Sequence, residues 1–330
     1  MFEKLILQVI SHINQYFLNL LAGFTLAIGL VAPFFAHAYT GITIVMTAPT
    51  QANLEFVDQF KAELAKRKHT NLRTNVITLS VAEKLVVAEN SELVIALGVK
   101  ALEASSKLKH TTPVIGVFTP LPVFNSLLLK SKRDLGNFSA IVLDQPYARQ
   151  MSLIKKILPE AKTLGILLGP TSSQYGDFLK EEGKKNGFSI LEGHVNQQAE
   201  LIPKLKELLE TTDALVAIPD PLIYSQETAQ PILLTSYRYQ KPIFGYSQSY
   251  VRAGGLAAVY SSSKQLAKQA AEIAIKSQQA PGELPLPQSP KYFSIMLNYQ
   301  VARSLNIPLQ DEEAVYKKML ESEAIAGKAK

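Results

Sequence analysis

The chain has 330 residues, with 34 Lys+Arg against 28 Asp+Glu for a net charge of +6, and 47% of its residues are apolar. With only 19% charged residues, such a chain buries enough apolar surface to fold and is not disordered. The absence of cysteine excludes a disulfide scaffold, a thiolate metal site, a cysteine nucleophile and a lipidated cysteine. The small positive balance points to solubility and weak anion attraction, not to a nucleic-acid partner.

Glu3 and Lys4 are the only charges before Glu55. Phe17–Ala36 is apolar apart from Asn19 and Thr25, and Ala36-His37-Ala38 follows, with Pro33 upstream to end a helix. A short charged start, an apolar helix and a small-x-small cleavage site make up a secretory signal, expected here over residues 1–38. The apolar stretch is also long enough to stay in the bilayer as an N-terminal anchor. Both readings export the rest of the chain.

Beyond residue 38, short β-branched runs alternate with amphipathic stretches. Gly41–Met46 is the first expected strand, followed by Phe56, Phe60 and Leu64 at helical spacing. Asn75–Leu79, Glu92–Leu97, Pro113–Phe118 and Asn137–Leu143 are further strands separated by helix-like stretches. Gly98 ends its strand, where a residue without Cβ permits a sharp turn or a close ligand. Strands apolar on both faces, alternating with helices, predict a parallel sheet covered on each side.

The pattern restarts at Pro146, which suits a first helical turn, with Asp144 and Gln145 as caps and Tyr147, Met151, Ile154 and Leu158 as the buried stripe. Strands are expected at Thr163–Leu168, Phe188–Leu191, Ala214–Ile218 and Pro242–Phe244, with helices near 174–186, 199–210 and 224–239. Leu256–Val259 adds a strand and Lys264–Ser277 a helix. Ala280–Pro290, with four prolines, is an extended connector. Tyr292–Leu297 is a last strand, Gln300–Leu305 a short helix, and Asp311–Ala326 an exposed, weakly held terminal helix. Two βαβ halves of about 100 residues each are the expected organisation.

Neither G-x-G-x-x-G nor a Walker A loop follows any strand. Of the five histidines, His12 and His37 lie in the leader, while His69, His110 and His194 are scattered. Glu192 beside His194 reads as a solvated pair rather than a metal site. Gly245-Tyr246-Ser247-Gln248-Ser249 lacks the closing glycine of a nucleophile elbow.

What recurs is a polar or proline-containing loop at the C-terminal end of successive strands, the edge at which open α/β sheets bind ligands. These loops are Gly98-Val99, Thr119-Pro120-Leu121-Pro122, Gly169–Tyr175, Pro219-Asp220-Pro221 and Gly245–Tyr250. The third opens a helix, whose amides suit an anionic group. Tyr175, Tyr246 and Tyr250 suit stacking on a planar ligand.

In order and spacing these segments resemble the type I periplasmic binding proteins of ABC transporters. More narrowly, they resemble the ABC-transporter substrate-binding family that includes tryptophan-binding members. The carriers are LVIALGVKALEASSKLKHTTPVIGVFTPLP (93–122), Leu158–Leu167, Asp213–Asp220, Pro242–Ala257 and Tyr292–Leu309.

The resemblance implies an α/β fold of two Rossmann-like lobes joined by three crossovers, with a ligand cleft between them. Lobe 1 would comprise 39–145 and 261–288, lobe 2 146–260 and 289–310, and 311–330 a tail helix. The crossovers would fall near Leu143–Pro146, Tyr260–Ser263 and Pro287–Lys291. The implied ligand-binding residues are Gly98, Thr119, Pro120, Gln145, Thr171, Tyr175, Asp220, Tyr246, Ser247, Gln248 and Ser261, with no catalytic residue, metal or cofactor.

The chain departs from the family in three places. Ser247-Gln248 stands where the family often has Asp-Glu, a pair suited to a ligand ammonium, which leaves Asp220 as the main acidic candidate. Val259–Ser263 is again uncharged, and Thr47-Ala48-Pro49-Thr50 lacks the family's histidine-proline pair. The ligand, an amino acid or another small organic solute, stays open.

The implied function is that of a monomeric periplasmic solute-binding protein serving a membrane ABC permease. The same fold would also serve an extracytoplasmic sensor for a membrane receptor or sensor kinase. A two-lobed glycosyltransferase would need a donor-phosphate loop, and a repressor would need a helix-turn-helix where the apolar leader lies.

Overall fold

Uninterrupted apolar runs fold here into fully buried parallel strands, and the amphipathic stretches between them cover both faces. The computed structural model describes residues 41–67, 72–79, 88–279 and 283–328. The expected leader over 1–38 and His69 lie outside the described residues.

The first sheet contains β1 (Gly41–Met46), β2 (Arg73–Thr78), β3 (Leu93–Leu97), β4 (Val114–Thr119) and β5 (Phe138–Val142), in the order β2-β1-β3-β4-β5. All of its pairs are parallel. Helices α1 (Gln51–Lys66), α2 (Val99–Ser105) and α3 (Leu121–Ser131) follow β1, β3 and β4.

Successive side chains of a strand point to opposite faces, and the core divides accordingly. Leu93, Ile95 and Leu97 join Phe56 and Phe60 in one cluster, while Val94 and Ala96 join Leu102, Phe124 and Phe138 in another.

The second sheet contains β6 (Thr163–Leu168), β7 (Ser189–His194), β8 (Ala214–Val216), β9 (Ile243–Gly245), β10 (Ala257–Tyr260) and β11 (Ser294–Leu297), in the order β11-β10-β9-β8-β6-β7. It is parallel except for β11, which runs antiparallel to β10. Its helices are α4 (Tyr147–Ile157), α5 (Gly176–Lys185), α6 (Leu201–Thr211), α7 (Gln226–Arg238) and α8 (Gln248–Arg252). Leu164, Ile166 and Leu168 face one core cluster, and Leu167 faces the other with Leu205 and Leu209.

The chain passes between the sheets three times. It leaves the first after β5 and comes back from β10 into helix α9 (Ser263–Gln279), which lies along α1. Leu266, Ala267, Ala270 and Ala274 of α9 complete the first sheet's core. The proline-rich connector then runs beside β5, where Val142 donates to Gln288 O and Gln288 to Ala140 O, before entering β11.

Helices α10 (Tyr299–Ser304) and α11 (Glu312–Lys328) end the described chain. Helix α11 is held more firmly than its polar sequence suggests. Val315 and Met319 are buried in the second sheet's core, and Tyr316 meets Phe293 edge-on at 5.2 Å. Two apolar residues one turn apart make too narrow a stripe to stand out in a charged sequence.

Candidate functional site

The carboxyl ends of both sheets open onto a cavity of about 320 Å³, and the first two passages between the sheets help to wall it. Pro120, Leu143 and Asp144 come from the first sheet's loops. Tyr147 and Gln150 come from the first turn of α4, Pro219, Tyr246 and Ser247 from the loops after β8 and β9, Gln248 and Ser249 from the start of α8, and Gln145, Tyr260 and Ser261 from the passages themselves.

At the end of β4 the backbone is bent out of register between Val117 and Thr119, and Phe118 takes a φ of 58°. A non-glycine residue in that region is strained and is held by its surroundings. Here Phe118 packs edge-on to Phe56 at 5.7 Å. The turn brings Pro120 to the start of α3, where the cap residue supplies no side-chain hydrogen bond. Asp144 caps the helix in its place, with Oδ2 accepting the Leu121 N–H at 2.6 Å and so satisfying one of the open donors of a helix start.

Among the described residues that line the cavity, Asp144 is the only charged one. Burial pushes its carboxyl above the usual range, against the opposing pull of the Leu121 amide. The Tyr147 phenol is pushed up in turn by burial, by the Asp144 charge and by Tyr175. Tyr147 rests against Phe178 with ring centroids 5.9 Å apart. Gln150, 5% exposed, has a buried Oε1 with no hydrogen-bond partner among the described residues.

One hydrogen-bonded block ties the passages together beneath this wall. Gln145 Nε2 donates to Ser261 Oγ at 2.8 Å, and Ser261 Oγ donates to Tyr292 O at 2.6 Å. The buried Arg149 donates through Nη1 to Gln145 Oε1 at 2.7 Å and to Pro290 O at 3.0 Å. Its guanidinium lies 4.1 Å from the centre of the Phe293 ring and pairs with Glu323 of α11. The cavity's polar wall is therefore set by groups from all three passages and from the terminal helix.

On the opposite side, Ser247 caps α8 by accepting the Tyr250 N–H at 3.2 Å. Tyr246 belongs to a ring cluster with Tyr224 and Tyr250, at centroid distances of 6.1 and 5.9 Å.

Of the residues expected from the sequence, Pro120, Gln145, Tyr246, Ser247, Gln248 and Ser261 meet in the cavity wall. Gly98, Thr119, Thr171, Tyr175 and Asp220 lie outside it. Thr119 is fully buried, with its hydroxyl turned back toward Val117 O. Tyr175 stands behind the wall, its buried hydroxyl unpartnered among the described residues and its ionisation opposed by burial and by Asp144.

Asp220 is 3% exposed and faces inward. Its Oδ2 accepts from Thr171 N, Ser172 N and Ser172 Oγ, and its Oδ1 from Leu222 N. The acid in the wall is instead Asp144, together with Tyr147, Gln150 and Tyr260. The sequence signal for Asp144 is its place directly after β5, at the same sheet edge as the other loops.

A family model described as ABC transporter substrate binding protein matches residues 45–320. A tyrosine-binding protein of Clostridioides difficile strain R20291 is 25% identical over 203 residues, or 60% of this chain; the match spans 58% of that relative's length.

Among solved structures, a ligand-free, open substrate-binding protein with adhesive properties from Clostridium difficile aligns with a TM-score of 0.66 at 18% identity, covering 83% of this chain and 97% of the other. A Streptococcus pneumonia ABC domain in complex with L-Trp aligns at 0.55 and 20% identity, covering 84% and 98%. A conserved domain protein from Vibrio cholerae aligns at 0.56 and 20%, with the same coverage. These likenesses give the fold: two α/β lobes of the type I periplasmic binding protein kind, with a cleft between them.

Proposed function

Because the chain belongs to the ABC transporter substrate-binding protein family, we propose that it captures a small organic molecule between its lobes outside the cytoplasm, delivers it to a membrane permease and leaves it chemically unchanged. The observation that carries this reading is the cavity at the facing carboxyl edges of the two sheets, walled in part by the passages that join them. Closing the lobes about those passages shuts the cavity, so a ligand touching both sides favours the closed form. Tyr147, Tyr246 and Tyr260 favour a guest with a planar ring. The names of the relatives that bind tyrosine and L-Trp agree with that choice.

Export rests on the sequence of residues 1–38; among the described residues no helix is long and apolar enough to cross a membrane. The test is a thermal-shift screen of amino acids, aromatic amines, nucleosides, vitamins and organic acids. Native mass spectrometry of the purified chain and of each positive mixture then follows. The reading requires at least one compound that raises Tm and is recovered with its mass intact. A screen without a response, or a guest recovered as a product, overturns it.

A further inference from the structure

We infer that the cavity is built for a protonated amine carried on a planar body, and not for an amino acid or an organic acid. This rests on the solute-binding reading above and concerns which solute. The only charged group in the described wall is the Asp144 carboxylate. Its Oδ2 accepts from Leu121 N, and a carboxylate has acceptor capacity left for a further donor. Gln150 adds an uncharged amide to the wall. A carboxyl group as the single charged residue in a mostly apolar and aromatic space suits an ammonium group.

A carboxylate on the same guest finds less. Helix-start amides are the usual recipients of such a group, and at three helix starts near this cleft the chain's own side chains already occupy some of them. Leu121 N is taken by Asp144, Thr171 N and Ser172 N by Asp220, and Tyr250 N by Ser247. Helix α4 starts without a side-chain cap, but Asp144 lies just before it in sequence, and like charges repel. The uncapped start of α2 at Gly98 lies outside the wall.

The test is calorimetric titration of the full-length protein with matched pairs that differ by one carboxylate: tryptamine against L-tryptophan, and tyramine against L-tyrosine. The amine of at least one pair should bind about 10-fold or more tightly than its amino acid, and Asp144→Asn should weaken it about 10- to 100-fold. Asparagine keeps an oxygen for Leu121 N, so the variant retains the α3 cap, and its Tm is measured alongside.

Amino acids binding as tightly as their amines overturn the inference and leave the solute-binding reading intact. The same holds if only acids or neutral solutes from the wider screen bind. An unchanged amine affinity in a folded Asp144→Asn protein also overturns it. If no compound of any class binds, both fall.

Discussion

Asp144 and Asp220 each follow a strand at the carboxyl edge of a sheet, yet one faces the cavity and the other faces the protein. Sequence locates both loops, because strand ends are marked by the break from apolar to turn residues. It does not show where a carboxylate aims. For Asp220 that is settled by Ser172, 48 residues away in the chain, and by Gly169, where an added Cβ would lie 2.6 Å from Oδ1.

Asp220→Ala should therefore leave the amides of Thr171, Ser172 and Leu222 without their acceptor. We expect a loss of about 2–4 kcal/mol, read as a fall in Tm of roughly 5–10 °C. Gly98 isolates a different effect. Its φ of 90° and ψ of 166° fall in a region open to glycine alone, and an added Cβ would have nothing within 4 Å. Gly98→Ala should cost about 1–3 kcal/mol through the backbone only, seen as a lower urea midpoint with an unchanged slope.

At the level of elements, helix α11 is the clearest case of a role that periodicity undersells. Its anchor is ionic as well as apolar, since Arg149 is 7% exposed and its partner Glu323 39%. Removing one partner of a fully buried pair costs about 3–5 kcal/mol. With Glu323 partly in water, Glu323→Gln should cost about 1–3 kcal/mol. Hydrogen exchange should show α11 opening before the two sheets.

A second clasp joins α1, α9 and the last connector. Glu272 accepts from Arg67 at 2.9 Å, Lys291 at 3.0 Å and Tyr292 at 2.6 Å. Burial alone would raise its carboxyl, but these three donors hold it down at about 2. The unfolded chain protonates this group near 4.5, so the stability it confers is complete above about pH 5 and is lost as pH falls toward 2. Melting curves between about pH 6 and pH 3 should fall less steeply for Glu272→Gln than for the parent.

For the molecule as a whole, the β-α alternation is enough to anticipate two covered parallel sheets, because a strand buried on both faces has no other environment open to it. The restart at Pro146 marks the change from one sheet to the next. The cavity is legible only along the strand-end loops. Tyr147 reads as part of a buried helical stripe, and Gln150 carries no signal, because both reach the wall from the first turn of α4. Their contribution depends on how the two sheets face each other, which no local pattern encodes.

If the cavity holds its guest only in the folded state, Tm must rise with guest concentration. At about 100 times Kd the gain is about 2.7 kcal/mol, and scattering should give a smaller radius of gyration once the lobes have shut. A guest that raises Tm without shrinking the particle would argue against hinge closure.

The tyrosine cluster beside the cavity also has an optical consequence. Tyr224, Tyr246 and Tyr250 lie with their centroids 5.8 to 6.1 Å apart, in a chain that has 13 tyrosines and no tryptophan. Its ultraviolet emission is therefore purely phenolic. An indole arriving beside Tyr246 would be the lone long-wavelength emitter in the complex, lit by energy transferred from the phenols around it, so that filling and emptying could be watched in real time without any dye.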